Sequence, residues 1–139
     1  MSNSKPIGVA YSDQNISGAD QLLADSQLGY TTAAQGTVTQ ATSKATAVTL
    51  NKSAGRVTMA ADALAGNAAV NFTLTNSFIS ANDVLVLCVS AGSVADVTTY
   101  TTYINGLAAG SAGITLRNLT AATSQSEAVV INFALLHCE

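Results

Sequence analysis

Ala69-Val70-Asn71-Phe72-Thr73-Leu74-Thr75 alternates without a break: Val70, Phe72 and Leu74 share one face of an extended chain, and Asn71, Thr73 and Thr75 the other. Side chains alternate sides along a β-strand with a period of two. A helix would carry Phe72 roughly 200° round from Val70 and leave no apolar stripe. The stretch therefore reads as a half-buried strand. From Gly36 onward the chain repeats this kind of segment, with β-branched runs punctuated by Gly, Asn, Asp and Ser. Strands are expected at 37–41, 46–50, 56–60, 69–75, 83–90, 97–105, 112–119 and 128–136. Between Met59 and Asn67, good helix formers broken by Gly66 predict a loop with one helical turn.

Two of the segments are apolar on both faces. Val84-Leu85-Val86-Leu87-Cys88-Val89 is one; Ala128 to Leu136 is the other, with Val130 on one side and Val129, Ile131, Phe133 and Leu135 on the opposite side. A strand of that kind needs cover on both sides. One face packs against a second sheet inside the domain, and the other requires a partner, for which another copy of the chain is the economical choice. The expectation is an all-β, antiparallel, jelly-roll-like β-sandwich that assembles as a homotrimer. The expected subunit contacts are Leu85, Leu87, Tyr103, Ile131, Phe133 and Leu135.

Residues 1–35 read differently, as an extended arm ahead of a domain at 36–139. They hold the only proline, Pro6, with Gly8, Gly18 and Gly29, and show no sustained period. One or two helical turns are expected over Ala19 to Gln27, with Leu22 and Leu23 as their apolar side and Ser17 or Asp20 as cap; turns that short need a partner to order them. Charged residues make up only 9% of the chain, so small neutral residues must cover its surface, which suits burial between subunits. The net charge is −3, and the five basic residues (Lys5, Lys44, Lys52, Arg56, Arg117) form no stripe, which argues against a nucleic-acid partner. Lys44, Lys52 and Arg56 read as a solvated rim. Residues 1–10 lack a signal-peptide apolar core, and Val84–Val89 is far shorter than the roughly 20 residues that span a bilayer; a soluble protein made in a cytoplasm is expected, with no membrane partner.

Catalysis finds few candidates. His137, the only histidine, sits beside the chain end, and neither a nucleophile elbow nor a phosphate-binding glycine loop occurs. Gly110-Ser111-Ala112-Gly113 reads as a turn. Asp62, Asp83, Asp96 and Glu127 flank strands, where carboxylates usually hydrogen-bond turns. His137 and Cys138 are a fragment of a metal site without the remaining ligands, so no metal, cofactor or catalytic residue is assigned. Cys88 reads as a small buried hydrophobe; a bridge to Cys138 requires the last strand to lie beside 84–89, and a reducing cytoplasm disfavours it.

The blocks Gly36-Thr37-Val38-Thr39-Gln40-Ala41-Thr42-Ser43-Lys44, Ala47-Val48-Thr49-Leu50-Asn51-Lys52, Phe72-Thr73-Leu74-Thr75-Asn76-Ser77, Leu116-Arg117-Asn118-Leu119 and Ser126-Glu127-Ala128-Val129-Val130-Ile131-Asn132-Phe133-Ala134 resemble, in order and spacing over about residues 28–135, a virion module of tailed bacteriophages and prophages. The resemblance implies a structural virion protein: a decoration, or cement, protein on the outer capsid surface, or the knob of a head or tail fibre. Heptads are absent and only about 35 residues precede the domain, which favours cement over a fibre with a shaft. A trimer then matches a local three-fold of the shell, and its arms bind the major capsid protein together through high effective concentration. Pro6, Ile7, Val9, Tyr11, Ile16, Leu22, Leu23, Leu28 and Tyr30 are the expected arm contacts. The fibre alternative implies a host surface receptor or glycan, with Tyr30, Tyr100 and Tyr103 as stacking platforms.

Overall fold

The computed structural model describes residue 21 and residues 23–138. Eight strands follow one another: β1 (Gln35–Thr39), β2 (Val48–Thr49), β3 (Ala54–Thr58), β4 (Ala69–Thr75), β5 (Val84–Val89), β6 (Tyr100–Ala108), β7 (Ser111–Asn118) and β8 (Val130–Leu136). They form two four-stranded sheets, in the orders β1-β3-β8-β5 and β2-β4-β7-β6. The described chain is all-β, with only two single 3-10 turns, at Thr32–Ala34 and Val97–Thr99.

The pairing departs from an all-antiparallel jelly roll. β1 pairs with β3, and β2 with β4, in parallel. The reason is the path of the chain: β1 to β4 pass alternately from one sheet to the other, so each second strand returns beside its predecessor in the same direction. β8 then enters between β3 and β5, and β7 between β4 and β6, each antiparallel to both neighbours. The β6–β7 hairpin turns through Gly110 at φ +80°, so Ser111–Gly113 belong to β7 and not to the turn.

One apolar core lies between the sheets in a sandwich-like arrangement. Val57, Leu85, Ile131, Phe133 and Leu135 face it from the first sheet, and Phe72, Leu74, Ile114 and Leu116 from the second. Gly36 and Gly55, neighbours in register, leave room for Leu50 to lie on the first sheet; a Cβ on Gly55 would stand 2.7 Å from Leu50 Cδ2 and 2.8 Å from the Gly36 carbonyl. Residues 59–68 contain no helical turn. Leu64 is buried there by a single bridge to Gln125, and Asn67, at φ 59°, closes a turn in which Ala68 N–H donates to the Ala65 carbonyl.

Buried polar groups hold the loops. The Asn118 amide donates to the Leu64 and Thr123 carbonyls and accepts from Thr120, and Gln40 donates to the Lys44 and Thr46 carbonyls while accepting from Ala60 N–H. Lys44 is not on a solvated rim. It is 1% exposed, and its Nζ donates to the carbonyls of Ala60, Asp62 and Glu127 at 2.7, 2.5 and 2.9 Å. An ammonium has three protons, and each finds an acceptor. Burial lowers its pKa, with the Asp62 and Glu127 charges acting in the opposite direction.

Candidate functional site

The two doubly apolar segments are β5 and β8, adjacent in the first sheet. Their inner residues Leu85, Ile131, Phe133 and Leu135 are 3–4% exposed or less and form the chain's own core, so the expectation that they contact another subunit is corrected. Leu87 also packs against this core. The period-two pattern identified two apolar faces but not which was internal; Val57 and Gly55 on β3, opposite Ile131 and Phe133, settle the direction. Tyr103, the sixth of that set, is 49% exposed on the outer face of the other sheet.

The face left outside is carried by Val84, Val86 and Cys88 on β5 and by Asn132, Ala134 and Leu136 on β8, with Ala54 and Arg56 on β3. The register sets Val84 beside Leu136, Val86 beside Ala134, and Cys88 beside Asn132, which is in turn beside Arg56. One end of the face is thus apolar and the middle polar. Arg56 donates to Asn132 Oδ1 at 3.1 Å and to Ser90 Oγ at 3.4 Å, spanning the sheet. A shallow depression of about 470 Å³ runs beside it, lined by Thr32, Gln35, Thr37, Ala54, Arg56 and Asn132.

The segment before β1 reaches this face. The Tyr30 hydroxyl donates to the Leu135 carbonyl, Gln35 Nε2 to the Tyr30 carbonyl at 2.9 Å, and Lys52 Nζ to the Ala33 carbonyl at 2.8 Å. Leu28, Gly29 and Tyr30 thereby line an apolar cleft with Ala134 and Leu136. Of the expected arm contacts, Leu23, Leu28 and Tyr30 are described and exposed; Pro6, Ile7, Val9, Tyr11, Ile16 and Leu22 lie outside the described residues. Gln21 and Leu23–Gln27 form bends and coil, so the helical turns expected over 19–27 are absent from the part that is described.

The chain end is clamped at the same edge. Asp83, its side chain fully buried, accepts from Ser80 N–H and Oγ, from Cys138 N–H and from His137 Nδ1 at 2.9 Å. Desolvation raises the carboxyl's pKa, but these donors outweigh it and hold Asp83 well below the usual carboxylate range. His137 and Cys138 thus secure β8 to the turn before β5. Asp96 accepts from Thr98 side chain and backbone, which lower its pKa, and Glu127 Oε1 accepts from Ala95 N–H at 2.8 Å. Asp83, Asp96 and Glu127 thus serve turns and loops, as the sequence predicts, whereas Asp62 contributes its backbone carbonyl to Lys44. Cys88 is exposed on β5, not buried. Although β8 lies beside β5, Cys138 falls two residues past the Val84–Leu136 pair, opposite Asn82, so about six residues or roughly 20 Å of strand separate it from Cys88. Both thiols are free.

On the second sheet the outer face is polar. Asn105 Nδ2 donates to Thr115 Oγ1 at 2.8 Å, and that hydroxyl donates to Asn71 Oδ1 at 2.7 Å, a three-strand ladder beside exposed Tyr103. Tyr100 points inward: it is 5% exposed, and burial, with the charge of the nearby Glu127 carboxylate, pushes its pKa up to about 12. It is no stacking platform. Comparison of the chain with protein-family models, with curated proteins and with solved structures finds no match.

Proposed function

We propose that this chain is a structural subunit of a tailed-phage particle, a decoration protein that sits on the outer capsid surface as a homotrimer and stabilises the head. It is made in the bacterial host's cytoplasm and performs no catalysis. The observation that carries the reading is the anchored arm on an apolar sheet face. Tyr30 and Lys52 fix the arm's base to the domain. The 29 residues before Tyr30 reach up to roughly 100 Å when extended, far enough to engage the major capsid protein away from the domain's own footprint. A surface with so few charges suits permanent contact with protein.

A second reading, a fibre knob that binds a host glycan, has one observation in its favour. Tyr103 stands exposed beside the Asn105–Thr115–Asn71 ladder, an aromatic face flanked by amide and hydroxyl groups. Particles lacking the protein separate the two. Heads that lose their genome on mild heating support decoration. Sturdy heads that fail to adsorb to cells support the fibre knob and overturn the first reading.

A further inference from the structure

Asn105 is one of ten asparagines and the only one followed by glycine. It sits where the β6–β7 ladder slips: Ile104 pairs with Ile114 and Gly106 with Gly113, so Asn105 is the extra residue of a bulge. Asn105 and Gly106 are both exposed. In a regular strand the extended backbone turns a side-chain carbonyl away from the next residue's nitrogen, and a bulge breaks that geometry. Gly113, opposite, has no side chain, and the point where its Cβ would stand lies 3.2 Å from Asn105 Cγ and 3.5 Å from Gly106 N. These two atoms border one gap, and a bond between them closes a five-membered ring. Gly106 offers no side chain to obstruct that closure.

We propose that Asn105 is a site of spontaneous modification in the folded protein, converting through a succinimide to aspartate and isoaspartate. Hydroxide takes the Gly106 N–H proton, and the nitrogen attacks Asn105 Cγ. The Cγ–Nδ2 bond breaks, and the amide nitrogen leaves as ammonia with a proton from water. A second water opens the ring: cleavage of the new N–Cγ bond gives aspartate, and cleavage of the bond to the Asn105 carbonyl carbon gives isoaspartate. The balance is one water consumed and one ammonia released, with no oxidant or cofactor. The consequence falls on the three-strand ladder. Asn105 Nδ2 is the donor to Thr115 Oγ1, whose own proton goes to Asn71 Oδ1. A carboxylate at 105 donates nothing, which leaves Thr115, 1% exposed, with a single proton for two acceptors. The chain, of net charge −3, also gains one negative charge on this face. The inference is independent of the particle proposed above; in any protein that persists without turnover, the product accumulates with age.

Peptide mass mapping of the full chain, kept folded and warm at mildly alkaline pH, tests it. The peptide holding Asn105 should gain about 1 Da and split into two chromatographic forms, faster than any peptide holding another asparagine. Conversion should quicken as pH rises, because the attacking nitrogen must first lose its proton. Gly106→Ala should slow it at least about tenfold, since a Cβ hinders the attack. That Cβ meets nothing within 4 Å, so circular dichroism should be unchanged. Asn105→Gln, which would have to close a six-membered ring, is the second control and should keep its mass. Asn105→Asp, the product written into the gene, should melt about 2–4 °C below the wild type. An Asn105 that survives in the folded chain, whether or not it converts in urea, overturns the inference, because the β6–β7 pairing then shields it. Conversion of Gly106→Ala at the wild-type rate overturns the succinimide step in favour of direct hydrolysis. An unchanged melting temperature for Asn105→Asp overturns the loss of the ladder as the consequence.

Discussion

Lys44 shows how far a residue's role can lie from its place in the sequence. It precedes Lys52 and Arg56, and the three read as surface charge, yet the acceptors of its ammonium are the carbonyls of Ala60, Asp62 and Glu127, one of them 83 residues away. Nothing local to Lys44 reports those carbonyls, because backbone acceptors carry no sequence signal. Replacing it with Met keeps the volume and leaves three buried carbonyls without their donor. Lys44→Met should cost about 3 kcal/mol, read as a lowered urea midpoint at unchanged slope. Lys52→Met removes one exposed bond to Ala33 and should change stability by no more than about 0.5 kcal/mol. Equal losses at the two sites would mean that the Lys44 ammonium is no internal brace. Gly55 is the opposite case, needed for having no side chain. A methyl group there meets Leu50, the Gly36 carbonyl and Phe133 within 2.9 Å, two flexible neighbours and one fixed. Gly55→Ala should destabilise by about 1–3 kcal/mol, and Gly55→Ala with Leu50→Ala should recover part of that loss, as thermal unfolding of the double mutant can measure.

At the scale of elements, the strands were legible and their partners were not. Every expected strand appears in order, with ends shifted by at most three residues and 69–75 not at all, because alternation such as Val70-Phe72-Leu74 is written locally. The parallel pairs β1–β3 and β2–β4 are products of the chain's winding between sheets, which no single segment encodes. The inner and outer faces of β5 and β8 were indistinguishable for the same reason: both are apolar, and only the strands opposite decide. The clamp between these two elements has a pH signature. Asp83 is held below the usual carboxylate range in the folded chain, so its ionised form stabilises the fold. That contribution is complete above the unfolded value, about 3.9, and is lost as pH falls from there towards the lower folded value. The wild type should therefore lose melting temperature below about pH 4 more steeply than Asp83→Asn, while near neutral pH the variant should be the less stable. Parallel pH profiles for the two proteins would show that the Ser80–Asp83–His137–Cys138 clamp carries no proton linkage.

For the whole molecule, the sparsity of charge decides which forces are available for assembly. Thirteen Lys, Arg, Asp and Glu side chains in 139 residues leave little for Coulombic steering, and several of them are occupied internally: Lys44 in the core, Asp83 at the clamp, Arg56 across β8. What remains for partners is apolar and small-polar surface: the Val84–Val86–Leu136 face, Leu23 and Leu28, and the amide and hydroxyl ladder around Thr115. Contacts built from such groups are held by removal of apolar area from water, which salt does not screen. The capsid binding proposed for residues 1–35 should then persist from about 0.1 M to 1 M sodium chloride, over which the Debye length shrinks from about 10 Å to 3 Å, and should strengthen in sulfate, which is excluded from protein surfaces. Co-sedimentation of the protein with undecorated capsids across that range reads this directly. Release of bound protein on raising the chloride concentration would assign the contact to charged groups, and the few on the arm (Lys5, Asp13, Asp20 and Asp25) would be the residues to replace first.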